Sequence, residues 1–266
     1  MTSRTSENDI SQATRGRTGI EQERTSDSEV ARTADLMRLV PKNRSSVLDV
    51  GARDGHFSKL LTQYFPTVVA LDLEKPTFSF PGVETVAGDI TGFTFPDNAF
   101  DCVFCTEVLE HISQLQRACD EMKRVARHEV LIGVPYRQDT RVRRVTCRAC
   151  GKTGPPWGHV NSFDEDRLRT IFGDWPVKEV SFVGTNNEAT NPLSAFLMDL
   201  AGNPWGSYEQ EEGCLHCGAR LTPPAVRSPV SRICSAAALA INSLQSRFNA
   251  SHANWIHILF TNPADR

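Results

Sequence analysis

Three groups of side chains in this 266-residue chain combine residue types and spacings that can do chemistry. The first is a bend, Val47-Leu48-Asp49-Val50-Gly51-Ala52-Arg53-Asp54-Gly55, where an apolar strand pattern runs through two glycines into a helical pattern from His56. Glycine lets backbone approach a ligand closely at such a bend, and the first turn of the helix offers free N–H groups. The dinucleotide fingerprint needs Gly-x-Gly-x-x-Gly, which Gly51-x-x-x-Gly55 does not meet. The second group is Glu107, Glu110 and His111, at i, i+3 and i+4, which a short helix would place on one face. The ordinary pKa of a histidine suits a general base, and two carboxylates suit a hard cation. The third is a pair of knuckles, Cys147-Arg148-Ala149-Cys150-Gly151 and Cys214-Leu215-His216-Cys217-Gly218. Two Cys-x-x-Cys-Gly pairs read as a closed, structural zinc site of four thiolates, with reversible disulfides as the alternative.

Strands and helices must carry these groups. Residues 1–25 are polar with only two large aliphatics, Ile10 and Ile20, and read as a disordered tail. Order is expected from Ser26, where Ser26-x-x-Glu29 has the spacing of a capping box, so that 26–266 forms the domain. Candidate strands cover 46–50, 68–71, 84–87, 100–105, 130–134, 177–183 and 255–261. Candidate helices cover 56–64, 115–126, 164–172, 193–201 and 229–248. Alternation of near-continuous apolar strands with helical stretches predicts an α/β fold, its sheet parallel and covered on both faces. The knuckles sit in insertions at about 137–160 and 205–222. If strands 130–134 and 177–183 are parallel, both insertions leave the same edge of the sheet and can share one zinc.

Further acids end the second and third strands, in Ala70-Leu71-Asp72 and Ala87-Gly88-Asp89-Ile90, and the fourth runs into Glu107-Val108-Leu109-Glu110-His111. With Asp49-x-Gly51-x-x-x-Gly55 in front of it, this ordered set resembles the class I S-adenosylmethionine (SAM) methyltransferases, in particular the ubiquinone-pathway-like, type 11 group. Val134-Pro135-Tyr136 after the fifth strand is similar as well. The resemblance covers roughly residues 47–172. It implies a Rossmann-like, mostly parallel seven-stranded sheet with helices on both faces, here with a small zinc-bound insertion. It implies that SAM is held by Asp49, Gly51, Gly55, Asp72, Leu73, Asp89, Ile90 and Glu107. Asp72 would meet the ribose hydroxyls, and Asp89 and Ile90 the adenine. The group usually has another glycine where this chain has Arg53, whose side chain must then point away from the cofactor.

The Glu-Val-Leu-Glu-His segment keeps three readings. By resemblance, Glu107 lines the methionine end of the cofactor; alternatively His111 is a general base that deprotonates a hydroxyl nucleophile, with Glu110 a further candidate catalytic residue; or the segment binds magnesium. The small-RNA terminal 2′-O-methyltransferases carry a similar Glu-x-x-Glu-His with a downstream histidine, which makes Glu107, Glu110, His111 and His159 a candidate magnesium set. The expected activity is methyl transfer to a small-molecule or saccharide acceptor. The alternatives are a metal-dependent RNA 2′-O-methyltransferase and an inactive, zinc-stabilised binding module.

Arg137, Arg141, Arg143, Arg144, Arg148 and Lys152 crowd the first knuckle. They suit an anionic acceptor, or they pair with Glu209, Glu211 and Glu212 before the second knuckle. The net charge of −3 excludes a globally basic, nucleic-acid-coating protein. The longest uncharged apolar-rich stretch, 233–246, is too short to cross a bilayer, and the polar start lacks a secretory signal, so the expected compartment is the cytoplasm. Cys102, Cys105, Cys119 and Cys234 fall in predicted strands and helices and read as buried small hydrophobes.

Overall fold

The structure is a computed structural model that describes residues 26–210, 212–225 and 227–265. The tail expected at 1–25 lies outside the described residues. The chain runs α1 (Asp27–Leu39), β1 (Ser46–Val50), α2 (His56–Leu61), β2 (Thr67–Asp72), β3 (Val83–Ala87), β4 (Phe100–Thr106), α3 (Leu115–Val125) and β5 (Ala126–Pro135). It continues with β6 (Val145–Thr146), β7 (Thr153–Gly154), α4 (Glu165–Phe172), β8 (Val177–Val183), α5 (Pro192–Leu200), α6 (Pro229–Ser246) and β9 (Trp255–Thr261).

Seven strands form one sheet in the order β3-β2-β1-β4-β5-β9-β8. The first five are parallel, and β9 lies antiparallel between β5 and β8, so β8 again runs with the first five. Side chains alternate between the two faces, as the strand period requires. Leu48, Val50, Val103 and Cys105 join Met122, Leu168 and Phe172 on one face. Val47, Cys102 and Phe104 join Leu36, Val40, Leu61 and Phe65 on the other. Both faces are covered, which is why β4 is buried at every position.

This architecture is the Rossmann-like, mostly parallel seven-stranded sheet expected from the sequence. Local boundaries differ where tertiary pairing decides them. β5 starts at Ala126, directly after α3, because the polar stretch Arg127–His128–Glu129 is held extended against β4 and β9. The helix expected over 56–64 ends at Leu61 and closes in turns. The helix expected over Glu107–His111 is only a 3-10 turn at Leu109–His111.

Parallel strands bring the carboxyl ends of β1, β2, β4 and β5 to one edge, where open α/β sheets bind ligands. Helix α1 reaches the same edge. It is capped by Ser26, whose Oγ accepts from the Glu29 N–H, and it is tied to β9 by an Asp35–His257 Nδ1 contact of 2.7 Å. The β6–β7 hairpin and residues 208–210 and 212–221 form a small separate cluster around Val145, Cys147, Cys214 and Leu221.

Candidate functional site

At this edge a cavity of about 1110 Å³ opens between the tips of β1, β4 and β5, helix α1 and the segments flanking the cysteine knuckles. Its inner wall is the bend after β1. Gly51 and Gly55 have φ of 77° and 80°, and Arg53 also has positive φ, at 46°. The Gly51 and Ala52 N–H groups donate to the Leu71 carbonyl, locking the bend onto β2. A Cβ at Gly51 would lie 2.3 Å from Val108 Cγ2, and one at Gly55 would lie 2.7 Å from the Phe78 ring. Both glycines therefore answer to close packing as well as to backbone conformation. Arg53 takes the place of a glycine by turning its N–H to Asp72 Oδ2, at 2.8 Å, while Asp72 Oδ1 accepts from the Leu73 N–H at 2.7 Å.

Asp49 faces the cavity from β1 and is almost fully buried. Burial lifts its pKa to about 7, against the pull of a hydrogen bond from Ser58 Oγ and with help from the Asp72 and Asp54 charges. Gly51 and Glu107 also line the cavity. Asp72, Leu73, Asp89 and Ile90 stand on the neighbouring tips of β2 and β3, outside its walls. Leu73 is 73% exposed, whereas Ile90 is buried in the core, so only the former offers an open apolar side chain there. Asp89 is held below the usual carboxylate range by the Thr91 N–H and hydroxyl, at 2.7 and 2.8 Å.

One residue was not singled out in the sequence. Arg32, on α1, is buried at the cavity wall. Its Nε and Nη2 donate to the Glu29 carboxylate, the shortest at 2.7 Å, so Glu29 clamps Arg32 rather than reaching back to complete a capping box. Its Nη1 lies 3.7 Å from Glu107 Oε1 and makes no hydrogen bond among the described residues. Burial works against its charge, but Glu107, Glu29 and Glu110 more than offset it and hold the guanidinium firmly charged. The only sequence signal was Glu29 and Arg32 at i, i+3, an ordinary helix pair.

The Glu-Val-Leu-Glu-His segment splits in two. Glu107 sits at φ 55° directly after β4, with its Oε1 3.7 Å from Arg32 Nη1. The ligand atoms of Glu110, His111 and His159 all lie within 4.8 Å of one another. Glu107, the other carboxylate of the candidate magnesium set, is not in this group, and the segment makes a 3-10 turn rather than a full helical turn. One carboxylate and two imidazoles suit a borderline transition-metal ion better than magnesium, which prefers oxygen ligands and its own waters. Glu110 is wholly buried and does not reach the cavity, so direct contact with an acceptor is closed to it. Neither of its carboxylate oxygens has a hydrogen-bond partner among the described residues, and burial, with Glu107 nearby, pushes its pKa well up. His111 does line the cavity, its pKa lowered by burial. His159 packs edge-on against it, with ring centroids 4.7 Å apart, and is brought down to about 4 by burial and by His111. His159 Nδ1 is 2.6 Å from Gln138 Oε1, which orients the ring.

The four knuckle cysteines converge. Cys147 and Cys217 Sγ are 3.7 Å apart, as are Cys150 and Cys214 Sγ. Four sulfurs each about 2.3 Å from a tetrahedral ion would be about 3.8 Å apart, so the spacing fits zinc. A disulfide would need about 2 Å. The two knuckles are built alike: Gly151 and Gly218 sit at φ 72° and 70° and donate to the Cys147 and Cys214 carbonyls, each at 2.8 Å. The Cys150 and Ala149 N–H groups lower the Cys147 thiol, whereas the neighbouring sulfurs raise Cys217, so the four thiols share their protons unequally.

The arginines near the first knuckle find other acids than expected. Arg141 pairs with Asp139, Arg143 with Glu188 and Arg144 with Asp199, each within 2.9 Å. Glu209 and Glu212 instead face the cavity, and Glu211 lies outside the described residues. The cavity is accordingly acidic: Glu29, Asp49, Asp54, Glu107, Asp139, Glu188, Glu209 and Glu212 outnumber Arg32, Arg53 and Arg143. Cys102, Cys105 and Cys119 are buried, but Cys234 is only half-buried, on α6.

A 3-2-1-4-5 parallel sheet extended by an antiparallel strand, with a glycine bend after β1 and acids on successive strand tips, defines the class I methyltransferase fold. Residues 48–132 match the family described as "Methyltransferase domain", a match over about a third of the chain. The chain is similar to malonyl-[acyl-carrier protein] O-methyltransferase of Methylococcus capsulatus, 35% identical over 91 residues, covering 30% of this chain and 33% of that protein. It is also similar to demethylmenaquinone methyltransferase of Renibacterium salmoninarum, 34% identical over 98 residues, covering 35% and 40%. The matched stretch thus spans well under half of either relative. The crystal structure of the Bacillus subtilis YcgJ protein superposes with a TM-score of 0.53 over 87% of this chain and 97% of that one, at 14% identity, a likeness of fold.

Proposed function

We propose that the protein is a SAM-dependent methyltransferase acting on a neutral or cationic small molecule. The observation that carries this is the cavity at the carboxyl ends of β1 and β4, walled by Asp49, Gly51, Arg32 and Glu107 beside the family-matched segment. The site suits the cofactor. Arg32 offers an unsatisfied, buried guanidinium nitrogen to the carboxylate of an aminoacyl tail, and Glu107 and Glu29 offer charge to its ammonium. Asp72, fixed by two backbone N–H groups, retains lone pairs for ribose hydroxyls, and Asp89 and Leu73 flank the same edge.

Bound SAM supplies a methyl group already activated on a sulfonium, so the protein's task is mainly to hold donor and acceptor in line. Tyr136, Trp157 and Trp255 give the acceptor apolar walls, and neutral His111 is placed to take a proton from a hydroxyl acceptor. The excess of carboxylates disfavours phosphate-rich acceptors, RNA included, and any strongly anionic small molecule. The four-cysteine cluster would hold a structural zinc that fixes the outer wall.

Isothermal calorimetry with S-adenosylhomocysteine tests this reading. Binding that weakens at least tenfold in Arg32→Ala is expected; absence of heat in the parent chain would favour an inactive binding module. A second reading rests on one observation, the wholly buried Glu110 carboxylate without partners beside His111 and His159. A divalent transition-metal ion there would satisfy the carboxylate and orient acceptor oxygens. Titration with Mn²⁺ followed by electron paramagnetic resonance should show one tight site lost in Glu110→Gln; equal binding in both proteins would remove this reading and leave methyl transfer untouched.

A further inference from the structure

Helices α5 and α6 pair antiparallel through polar side chains. Ser194 Oγ donates to the Ala238 carbonyl at 2.9 Å, Thr190 Oγ1 to Asn242 Oδ1 at 2.9 Å, and Asn191 Nδ2 to Gln245 Oε1 at 2.7 Å. Ser231 Oγ closes the other end on the Ala201 carbonyl at 2.7 Å, and Arg227 donates to Ser235. The fully buried residues of α6 are only Ser235 and Ala238. Large apolar side chains point the other way: Phe196 and Leu200 on α5, Val230, Ile233 and Leu244 on α6, and Phe248 just beyond its end. Ile233 is 70% exposed and Phe248 82%. On α6 the spacing 230, 233, 237, 244 keeps Val, Ile, Ala and Leu on one stripe. A helix on a water-facing surface turns its polar side out; this hairpin is inverted, so its outer surroundings are expected to be apolar.

Charge selects the occupant. From Gly213 to Ala264 the sequence holds four arginines, at 220, 227, 232 and 247, and no aspartate or glutamate. Arg232 and Arg247 are exposed near the two ends of α6, and half-exposed Trp205 lies under the Arg227 guanidinium, 5.0 Å away. Cations and an aromatic ring bordering an apolar helical stripe are what an anionic lipid surface accepts. A second copy of the same face would oppose arginine to arginine, and Asp199, the acid of α5, is already paired with Arg144. No described helix is long and apolar enough to cross a membrane, so contact would be parallel to the surface. We infer that the α5–α6 hairpin docks the protein on an anionic lipid leaflet, with the stripe from Val230 to Phe248 entering the headgroup boundary.

Flotation of the full chain tests this with vesicles of phosphatidylcholine alone and of phosphatidylcholine and phosphatidylglycerol in equal parts. Strong flotation with the mixed vesicles only is expected. It should fall at least tenfold in the double variant Ile233→Glu, Leu244→Glu, whose sites are exposed and whose fold is checked by circular dichroism and zinc content. Each of Arg232→Gln and Arg247→Gln should weaken it about fivefold. The inference is overturned if the parent floats with neither vesicle, floats equally with both, or floats unchanged in the double variant. A parent that fails to float and proves dimeric by light scattering, but monomeric in the double variant, would assign the face to a second copy instead.

Discussion

Asp49→Asn isolates the most perturbed carboxyl of the cavity wall. Burial raises the folded-state pKa of Asp49 to about 7, while the unfolded chain should titrate near the ordinary 3.8. Between those values the folded protein holds a proton that the unfolded chain has released, so stability falls as pH rises through the window and levels off above about pH 7. A difference of about three units at roughly 1.4 kcal/mol each corresponds to about 4 kcal/mol lost from this one group across the window. Asparagine can still accept the Ser58 hydroxyl hydrogen bond but carries no titrating proton. Urea unfolding of both proteins, in the presence of zinc, should therefore show the asparagine variant gaining on the parent by roughly 1.4 kcal/mol per pH unit from about pH 4 to about pH 7, then running parallel. The cysteine cluster also responds to acid, but equally in both proteins, and it cancels in the difference. Curves parallel throughout would mean that Asp49 titrates alike in the folded and unfolded chain and that burial does not hold its proton. A cationic ligand beside Asp49 should select its ionised form, so affinity for SAM should weaken as pH drops below about 7 in the parent and stay flatter in the variant.

Three further outcomes follow from the geometry. Metal analysis should find about one equivalent of zinc per chain, lost in Cys217→Ser together with roughly 5 °C or more of thermal stability; a variant that keeps its zinc would disprove the four-sulfur set. Gly51→Ala should cost about 1–3 kcal/mol in chemical denaturation, because it forces a side chain into positive φ and into Val108; unchanged stability would mean the bend adopts another conformation. Phe104→Ala, in the core beside Phe57, should cost about 3–5 kcal/mol; a loss under about 1 kcal/mol would mean the layer between the sheet and α1–α2 is loosely packed.

The acids at 49, 72 and 89 and the two cysteine knuckles were visible in the sequence because each depends on local order: an apolar strand, then a polar tip or a tight turn. Arg32 was not visible. Its meaning comes from how α1 docks on β8 and β9 and so delivers one face of the helix to the sheet edge, and the local capping pattern had already claimed Glu29. Whether Glu107 shares a face with Glu110 and His111 was not legible for a related reason: helical spacing holds only if the chain is helical, and β4 runs on until the backbone turns at Glu107 itself. The arginines of the flap were legible as a structural cluster, but not their partners, since Glu188 and Asp199 come from segments after β8 that no local pattern links to the first knuckle. The outward apolar face of α6 is present in the sequence as an uncharged run; that it faces out was decided by Ser235, Asn242 and Gln245 taking the inner side.

The edge formed by β1, β2 and β4 is proposed to bind SAM. A crystal structure of the chain with S-adenosylhomocysteine tests it most directly. The ribose hydroxyls should lie within hydrogen-bond distance of Asp72, and the aminoacyl carboxylate should lie against Arg32. A nucleoside found elsewhere on the protein, or an aminoacyl tail far from Arg32, would contradict it.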